Sequence, residues 1–223
     1  METYDQHYED SCLLRTSFWQ AVGKLEEDVI AHIINPAFMG GPMWPSVRQA
    51  FITVHRPDST ILASDGLSDP YDDMDTNPDN APYNGFGLET YIVTEPLTGP
   101  VQSTWQFQLV YQAAQLMADN GSVASMLDKQ PYISTEFYNV DVPAEFLNAD
   151  GRVGAMLGIS DEGLPAGIEL SLETIKLVNV KLLTQAELKY VIDNGQEGRM
   201  KLAALLKEQG NGGFSSLQRP SVV

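Results

Sequence analysis

The segment from residue 64 to residue 84 holds the densest set of side chains that could do chemistry in this chain. It contains six Asp, three Pro and three Asn, with few apolar residues. Clustered carboxylates could supply oxygen ligands for calcium, but the spacing of an EF-hand, with its central Gly and terminal Glu, is absent. We therefore predict no metal here and a long surface loop that faces a partner. The carboxylates concerned are Asp69, Asp72, Asp73, Asp75 and Asp79.

Histidine and cysteine offer little else for metal binding or catalysis. The three histidines, His7, His32 and His55, show no H-E-x-x-H motif or comparable metal-ligand spacing. Cys12 is the only cysteine, so neither an intrachain disulfide nor a zinc site with two sulfurs can form. Its neighbours lack the Gly-rich or helix-start setting of an activated nucleophile, which favours an inert thiol.

The common catalytic motifs are missing as well. The sequence contains no G-x-S-x-G, no G-x-G-x-x-G and no G-x-x-x-x-G-K-[ST], so hydrolase, dehydrogenase and kinase functions lose their usual support. We predict no cofactor. One enzymatic alternative stays open, in which two of the loop aspartates, or Glu89, act as general acid and base.

The charge balance favours a protein partner over nucleic acid. The 223 residues carry 13 Lys and Arg against 30 Asp and Glu, a net charge of -17, which repels phosphate backbones. A basic protein is a natural partner, although acidic surfaces also serve solubility. No apolar run reaches 18 residues and the acidic, polar N-terminus does not resemble a signal peptide, so we expect no membrane insertion and a cytoplasmic location.

Helical periodicity predicts four helices. The first carries apolar side chains at helical spacing, with Ser17 as its N-cap and Pro36 beyond its end. The second opens on a capping box of Ser103 and Gln106, and its two apolar stripes predict that it is covered on two sides. The predicted helices span residues 17–33, 103–120, 184–195 and 197–209, the third of them with a capping box of Thr184 and Glu187.

Runs of β-branched and aromatic residues predict seven strands, with the third as a central strand because both of its faces are bulky. Strands and helices mix without a regular βαβ repeat, so the predicted fold class is α+β, an α/β sandwich with a mixed, largely antiparallel sheet flanked by helices. The predicted strands span residues 47–55, 60–63, 86–95, 137–142, 153–159, 168–172 and 175–183.

The domain organisation is expected to be simple. The apolar content, 43% of the residues, fills one core, and no linker divides the chain. We predict a single domain over residues 1–223, with a core of about 17–207. The Gly- and Ser-rich tail, 210–223, is expected to be flexible.

Three stretches together resemble the suppressor-of-fused domain family. Residues 64–73, SDGLSDPYDD, are similar to its G-L-S-D-x-Y loop. Residues 84–89, NGFGLE, followed by a helix opening at Trp105, resemble its G-F-G-x-E strand and Trp helix. Residues 177–206 resemble its closing strand and helices. The matching segments span roughly residues 44–207.

The resemblance implies a protein-binding module with no catalytic residues and no cofactor. Its short stand-alone members look bacterial, and many are thought to be immunity proteins that neutralise a toxin; a basic toxin or nuclease would suit this acidic chain. The family's groove is reached by the Tyr that matches Tyr71, flanked by Asp65 and Asp69. Candidate partner contacts are Asp65, Asp69, Tyr71, Asp72, Asp73 and Tyr83.

Some of these residues have an equally good structural interpretation. Gly66 could set a tight turn, and Asp65 or Asp69 could cap backbone N–H groups. Glu89 is expected to pair with a loop or helix group. The residues assigned to the structural motif are Gly66, Gly85, Gly87, Glu89 and Trp105. A third functional alternative is a subunit of a larger assembly, in which the helix from Trp105 to Met117 faces another copy.

Overall fold

A mixed β-sheet forms the centre of the protein in a computed structural model that describes residues 3–223. Over these residues the sheet has nine strands. They are β1 (Lys24–Leu25), β2 (Ile30–Ala31), β3 (Ala50–His55), β4 (Thr60–Asp65), β5 (Leu88–Thr94), β6 (Ile133–Phe137), β7 (Val153–Leu157), β8 (Gly167–Glu169) and β9 (Thr174–Leu183).

The strand order runs β1-β3-β4-β5-β9-β7-β6, with β2 also on β3 and β8 also on β9. The pairing of β5 with β9 is parallel, and the other strand pairs are antiparallel. The predicted mixed, largely antiparallel sheet is therefore confirmed. Every residue of β4 and β5 is buried, as expected for strands at the centre of a sheet that is covered on both faces.

In the described part of the chain, four α-helices cover the sheet: α1 (Tyr4–Val22), α2 (Trp105–Asp119), α3 (Val123–Lys129) and α4 (Gln185–Glu208). Buried residues of α2 and α3 share one apolar cluster with β3, β4, β5, β7 and β9. Trp19 of α1 packs on the opposite face, where Leu188 and Leu202 of α4 form a third cluster. No helix within residues 3–223 combines the length and apolar character needed to span a bilayer.

The first helix differs from its prediction. The structure has α1 at Tyr4–Val22, and residues 24–31 supply two short edge strands instead of continuing a helix to residue 33. The buried stripe of α1 is His7, Ser11, Arg15 and Trp19. Three of these four residues are polar, so apolar periodicity could not reveal the helix.

Smaller boundaries also shift. Thr104, not Ser103, is the N-cap of α2, with its hydroxyl accepting from the Phe107 amide. A strand was predicted over residues 137–142, but the structure has it at β6, which ends at Phe137. The short helix α3 was not predicted. The Thr184 and Glu187 capping box is present, and the predicted break between the two closing helices is confirmed at Gly195, where a kink divides α4 into two helical parts.

The tail is the clearest correction to the predicted organisation. Residues 210–223 were expected to be flexible, yet Ser215 is fully buried and Arg219 is nearly so. The Ser215 amide donates to the Val93 carbonyl of β5 at 2.7 Å. The packed part of the chain therefore extends beyond the predicted 17–207 at both ends.

Candidate functional site

A buried charged cluster fixes the base of the loop between β4 and β5. Arg15 of α1 is 1% exposed; its Nε donates to Asp65 at 2.9 Å, and its guanidinium also pairs with Asp69. Arg48 pairs with the other oxygen of Asp65. Ser46 donates to Asp69 at 2.7 Å. Buried charges need this degree of pairing, so the cluster joins α1 to the loop.

Glu89 of β5 holds the first residues of the same loop through hydrogen bonds. Its two carboxylate oxygens accept from the amides of Gly66 and Ser68, both at 3.0 Å, and from the hydroxyls of Ser68 and Ser64, at 2.7 and 2.5 Å. The side chain is fully buried. Glu89 thus satisfies backbone groups that the turn would otherwise leave unpaired.

Asn84 closes the loop from its other end. Its side-chain oxygen accepts from the amides of Leu172 and Glu173, at 2.9 and 3.2 Å, and its amide nitrogen donates to Ser11 at 2.8 Å. Both ends of the loop are therefore fixed to neighbouring elements, which leaves its middle to form a surface.

Burial changes the ionisation of the two enclosed carboxyls. Loss of solvation raises the pKa of Asp69 above its ordinary value, although the charge of Arg15 opposes the change. Loss of solvation likewise raises the pKa of Glu89, again against the charge of Arg15. Both side chains have no exposed area. In this structure a substrate therefore cannot reach these carboxyls, and their hydrogen bonds and ion pairs hold the loop in place.

Two glycines allow the close approach of loop and cluster. Gly66 has φ +142 and Gly85 has φ +52, and a Cβ at either position would come within 2.6 Å of a backbone oxygen. A side chain would therefore meet both strain and a clash. Gly87, also with positive φ, precedes β5, and Trp105 begins α2 inside the main apolar cluster.

A surface depression of about 430 Å³ lies above this base, and we call it the acidic depression. Its apolar lining includes Tyr71 and Phe86, whose rings meet edge to face with centroids 6.2 Å apart. Further apolar lining comes from Pro42, Met43, Trp44, Pro45 and Ala118, and the carboxylates are Asp72, Asp73 and Asp119. All three carboxylates are exposed. Aromatic side chains are enriched in protein-binding surfaces, and the rims of such surfaces are polar.

The structure brings together three of the six predicted contact residues. Tyr71, Asp72 and Asp73 line the acidic depression. Tyr83 is 49% exposed but does not line it. Asp65 and Asp69 lie inside the charged cluster, where their oxygens bond to Arg15, Arg48 and Ser46. Their contribution to this surface is to hold the loop that carries Tyr71.

An uncharged apolar segment, residues 31–47, adjoins the acidic depression. It contains no Asp, Glu, Lys or Arg, and Met43 belongs to both features. Large apolar side chains on it are exposed, and apolar exposure concentrated in one segment indicates contact with another molecule. They are Ile33, Ile34, Phe38, Met39, Met43 and Val47, with exposed fractions between 62% and 103%.

The other candidate chemical groups do not converge. Within residues 3–223, no three His, Cys, Asp or Glu side chains come together closely enough to hold a metal ion. The three histidines lie on α1, after β2 and on β3. Burial raises the pKa of the Cys12 thiol, which lowers the fraction of reactive thiolate.

Sequence reasoning missed the residues that hold and complete the site. Arg15 lies 50 and 54 residues before its partners Asp65 and Asp69, and no local motif marks such a pair. The spacing of His7, Ser11, Arg15 and Trp19, four residues apart, was the available signal. Asp119 was missed because it ends a helix whose two apolar stripes predicted that it is covered on two sides.

Comparison with solved structures identifies the fold. The structure of the Sufu-Fu complex matches with a TM-score of 0.60 at 12% identity, over 97% of this chain and 92% of that chain. The crystal structure of Drosophila Suppressor of Fused matches with a TM-score of 0.53 at 14% identity, over 78% of this chain and 42% of that chain. No family sequence profile and no curated protein sequence matches the chain. The chain therefore has a suppressor-of-fused-like fold, as its motifs predict.

Proposed function

We propose that this chain is a non-enzymatic protein-binding module that receives its partner in the acidic depression. The observation that carries the proposal is the pair of aromatic rings, Tyr71 and Phe86, in a depression that three exposed carboxylates also line. Aromatic side chains in a desolvated centre supply most of the energy of protein interfaces. A Sufu structure with this fold is a complex with Fu, which supports a protein partner.

The site is prepared for binding before a partner arrives. The buried cluster around Arg15 and the four bonds to Glu89 fix the loop on which Tyr71 lies. A preformed surface loses less conformational entropy on association. The adjoining segment 31–47 extends the contact area with exposed apolar side chains. Together the two features provide an apolar contact next to an acidic one.

The partner that fits this surface is a basic protein with an apolar or aromatic anchor. The net charge of -17 draws a basic protein toward the chain, and the carboxylates at the depression orient it. We propose that the partner is a toxin, such as a nuclease, which this chain neutralises as an immunity protein in the bacterial cytoplasm. A single domain with no cofactor is sufficient for this role.

Affinity capture with a matched pair of variants tests the proposal. We expect the tagged chain to retain one basic protein in stoichiometric amount from its own cells, and Tyr71→Ala to retain about tenfold less. Tyr83→Ala, outside the depression, should retain as much as the unmodified chain.

Thermal unfolding distinguishes a binding role of Tyr71 from a structural one. The melting temperature of Tyr71→Ala should fall by no more than about 4 °C, because its ring is only partly buried. A larger fall would assign Tyr71 to the stability of the loop. Equal retention by Tyr71→Ala and the unmodified chain would contradict the proposed site.

A further inference from the structure

Strands β5 and β9 separate along part of their length. They pair in parallel from Leu88↔Lys176 to Tyr91↔Asn179. Beyond this point β9 continues to pair with β7 on its other edge, as far as Gly154↔Leu183. The last residues of β5 and β9 therefore border an opening within the sheet. Open strand edges accept an added extended segment.

The C-terminal segment 213–219 fills this opening and bonds to both strands. The Ser215 amide donates to Val93 of β5 at 2.7 Å. On the β9 side, the Ser215 hydroxyl accepts from the Leu182 amide at 3.0 Å, and the Asn179 side chain donates to the Gly213 carbonyl at 3.0 Å. The segment thus forms a backbone bridge to β5 and is joined to β9 through side-chain hydrogen bonds.

Two buried basic side chains and one carboxylate complete the contact. Lys181, which has no exposed area, donates to the carbonyls of Asn211, at 2.7 Å, and Phe214. Arg219 pairs with both oxygens of Glu187 at 2.5 Å and donates to the Leu182 carbonyl at 2.8 Å. A bidentate pair of this kind fixes register as well as affinity.

The segment is joined to α4 by a short glycine-rich connection, residues 210–213. Gly210 has φ +71, and a Cβ there would meet nothing within 4 Å. Phe214 and Leu217 pack against the apolar clusters on opposite faces of the sheet. The contacts with β5 and β9 thus involve residues from Asn211 onward, whereas Gly210 has free space where a side chain would lie.

We propose that the opening between β5 and β9 is a peptide-binding site, and that the tail is its built-in ligand. The site recognises an extended peptide with a Gly-Phe-Ser-Ser core and an Arg four residues after the first Ser. The tail can leave and rebind as a unit. This site differs from the acidic depression, since Tyr71 and Phe86 lie before the start of β5, whereas Val93 lies near its end.

The test uses the full chain, folded before it is cut. A protease recognition sequence is inserted between Gly210 and Asn211, and the chain is cleaved after purification. We expect the cleaved tail to co-elute with the body and to exchange with an excess of a fluorescent peptide of residues 211–223. The same peptide with Arg219→Ala should bind about a hundredfold more weakly, because Glu187 then stays buried and unpaired. A Gln218→Ala peptide, changed at an exposed position, should bind like the natural one.

Several results would overturn the proposal. Loss of far-ultraviolet circular dichroism on cleavage would make the tail an inseparable part of the fold. A tail that dissociates without the labelled peptide taking its place, or one that never exchanges, would show that no reversible site exists. Equal affinity of the Arg219→Ala and natural peptides would show that the pair of Arg219 with Glu187 does not determine binding, which contradicts the proposed recognition.

Discussion

Arg15 joins α1 to the base of the loop. It pairs with the carboxylates of Asp65 and Asp69, which are largely buried and therefore poorly solvated by water. We predict that Arg15→Met lowers the free energy of unfolding by about 3–5 kcal/mol, since it leaves buried carboxylates with too few partners. Urea denaturation followed by circular dichroism measures the change.

An exposed ion pair provides the control for this prediction. Lys189 and Asp193 pair on the surface of α4 with side chains more than half exposed, so Lys189→Met should change the free energy of unfolding by less than about 0.5 kcal/mol. An Arg15→Met chain as stable as Lys189→Met would show that the buried cluster does not hold the loop.

At the residue scale, the sequence indicated the importance of the loop but not how it is held. Tyr71, Asp72 and Asp73 were predicted as contacts and do line one depression. Asp65 and Asp69 were given two interpretations, partner contact or turn cap. The structure shows a third arrangement, pairing with Arg15, which depends on a distant residue that local patterns do not reveal.

At the element scale, the kink of α4 depends on one backbone conformation. Gly195 has φ 56 and ψ -135 inside the helix, a combination that strains any residue with a side chain. Gly195→Ala should therefore lower the free energy of unfolding by about 1–3 kcal/mol. In an unstrained helix the same change would stabilise, because alanine is the better helix former.

Gln196→Ala is the control, since it introduces an alanine at the adjacent, exposed position without changing the strained backbone at Gly195. It should change stability by no more than about 0.5 kcal/mol. A Gly195→Ala chain more stable than the unmodified one would mean that α4 can run straight through this position.

Elements with strong apolar patterns were predicted well. β3, β4, β5 and α2 were predicted within a few residues of their bounds, because runs of β-branched and aromatic residues mark the strands and helical apolar periodicity marks α2. α1 was misplaced because its buried stripe is largely polar. The tail was misjudged because its ordering comes from Arg219, Ser215 and Lys181 contacts that form only in the folded chain.

At the scale of the whole molecule, stability should depend on pH through Lys181. Burial, reinforced by the charge of Arg219, lowers the pKa of Lys181 from its usual 10.5 to about 7. Between these values the unfolded chain binds a proton that the folded chain does not, so the free energy of unfolding rises with pH above about 7. Below about pH 7 both states are protonated and the contribution of Lys181 is constant.

The size of this effect can be measured against one variant. From pH 7 to pH 8.5, Lys181 should add about 1–2 kcal/mol to the free energy of unfolding. Lys181→Met removes the titrating group, and its stability should not show this increase. Urea denaturation at the two pH values measures the free energy of unfolding of both chains. An equal change with pH in the two chains would show that Lys181 titrates normally.

The distribution of charge is also a property of the whole molecule, and it links the fold to the proposed function. The net charge of -17 was read directly from the sequence. In the folded chain, carboxylates and apolar side chains lie together in the acidic depression, which is lined by the loop, the 31–47 segment and the end of α2. That juxtaposition joins segments far apart in the chain, so the sequence predicted the loop residues Tyr71, Asp72 and Asp73 but not the contribution of Asp119.

The most direct test of the account reverses charge at the acidic depression and measures affinity for the captured protein by calorimetry. The double variant Asp72→Lys and Asp119→Lys should raise the dissociation constant about a hundredfold, with a smaller difference at high salt. Glu145→Lys with Asp150→Lys makes the same change in net charge at two other exposed positions and should change the constant by less than about fivefold. Equal weakening by both pairs would mean that only overall charge attracts the partner, and would contradict binding in the acidic depression.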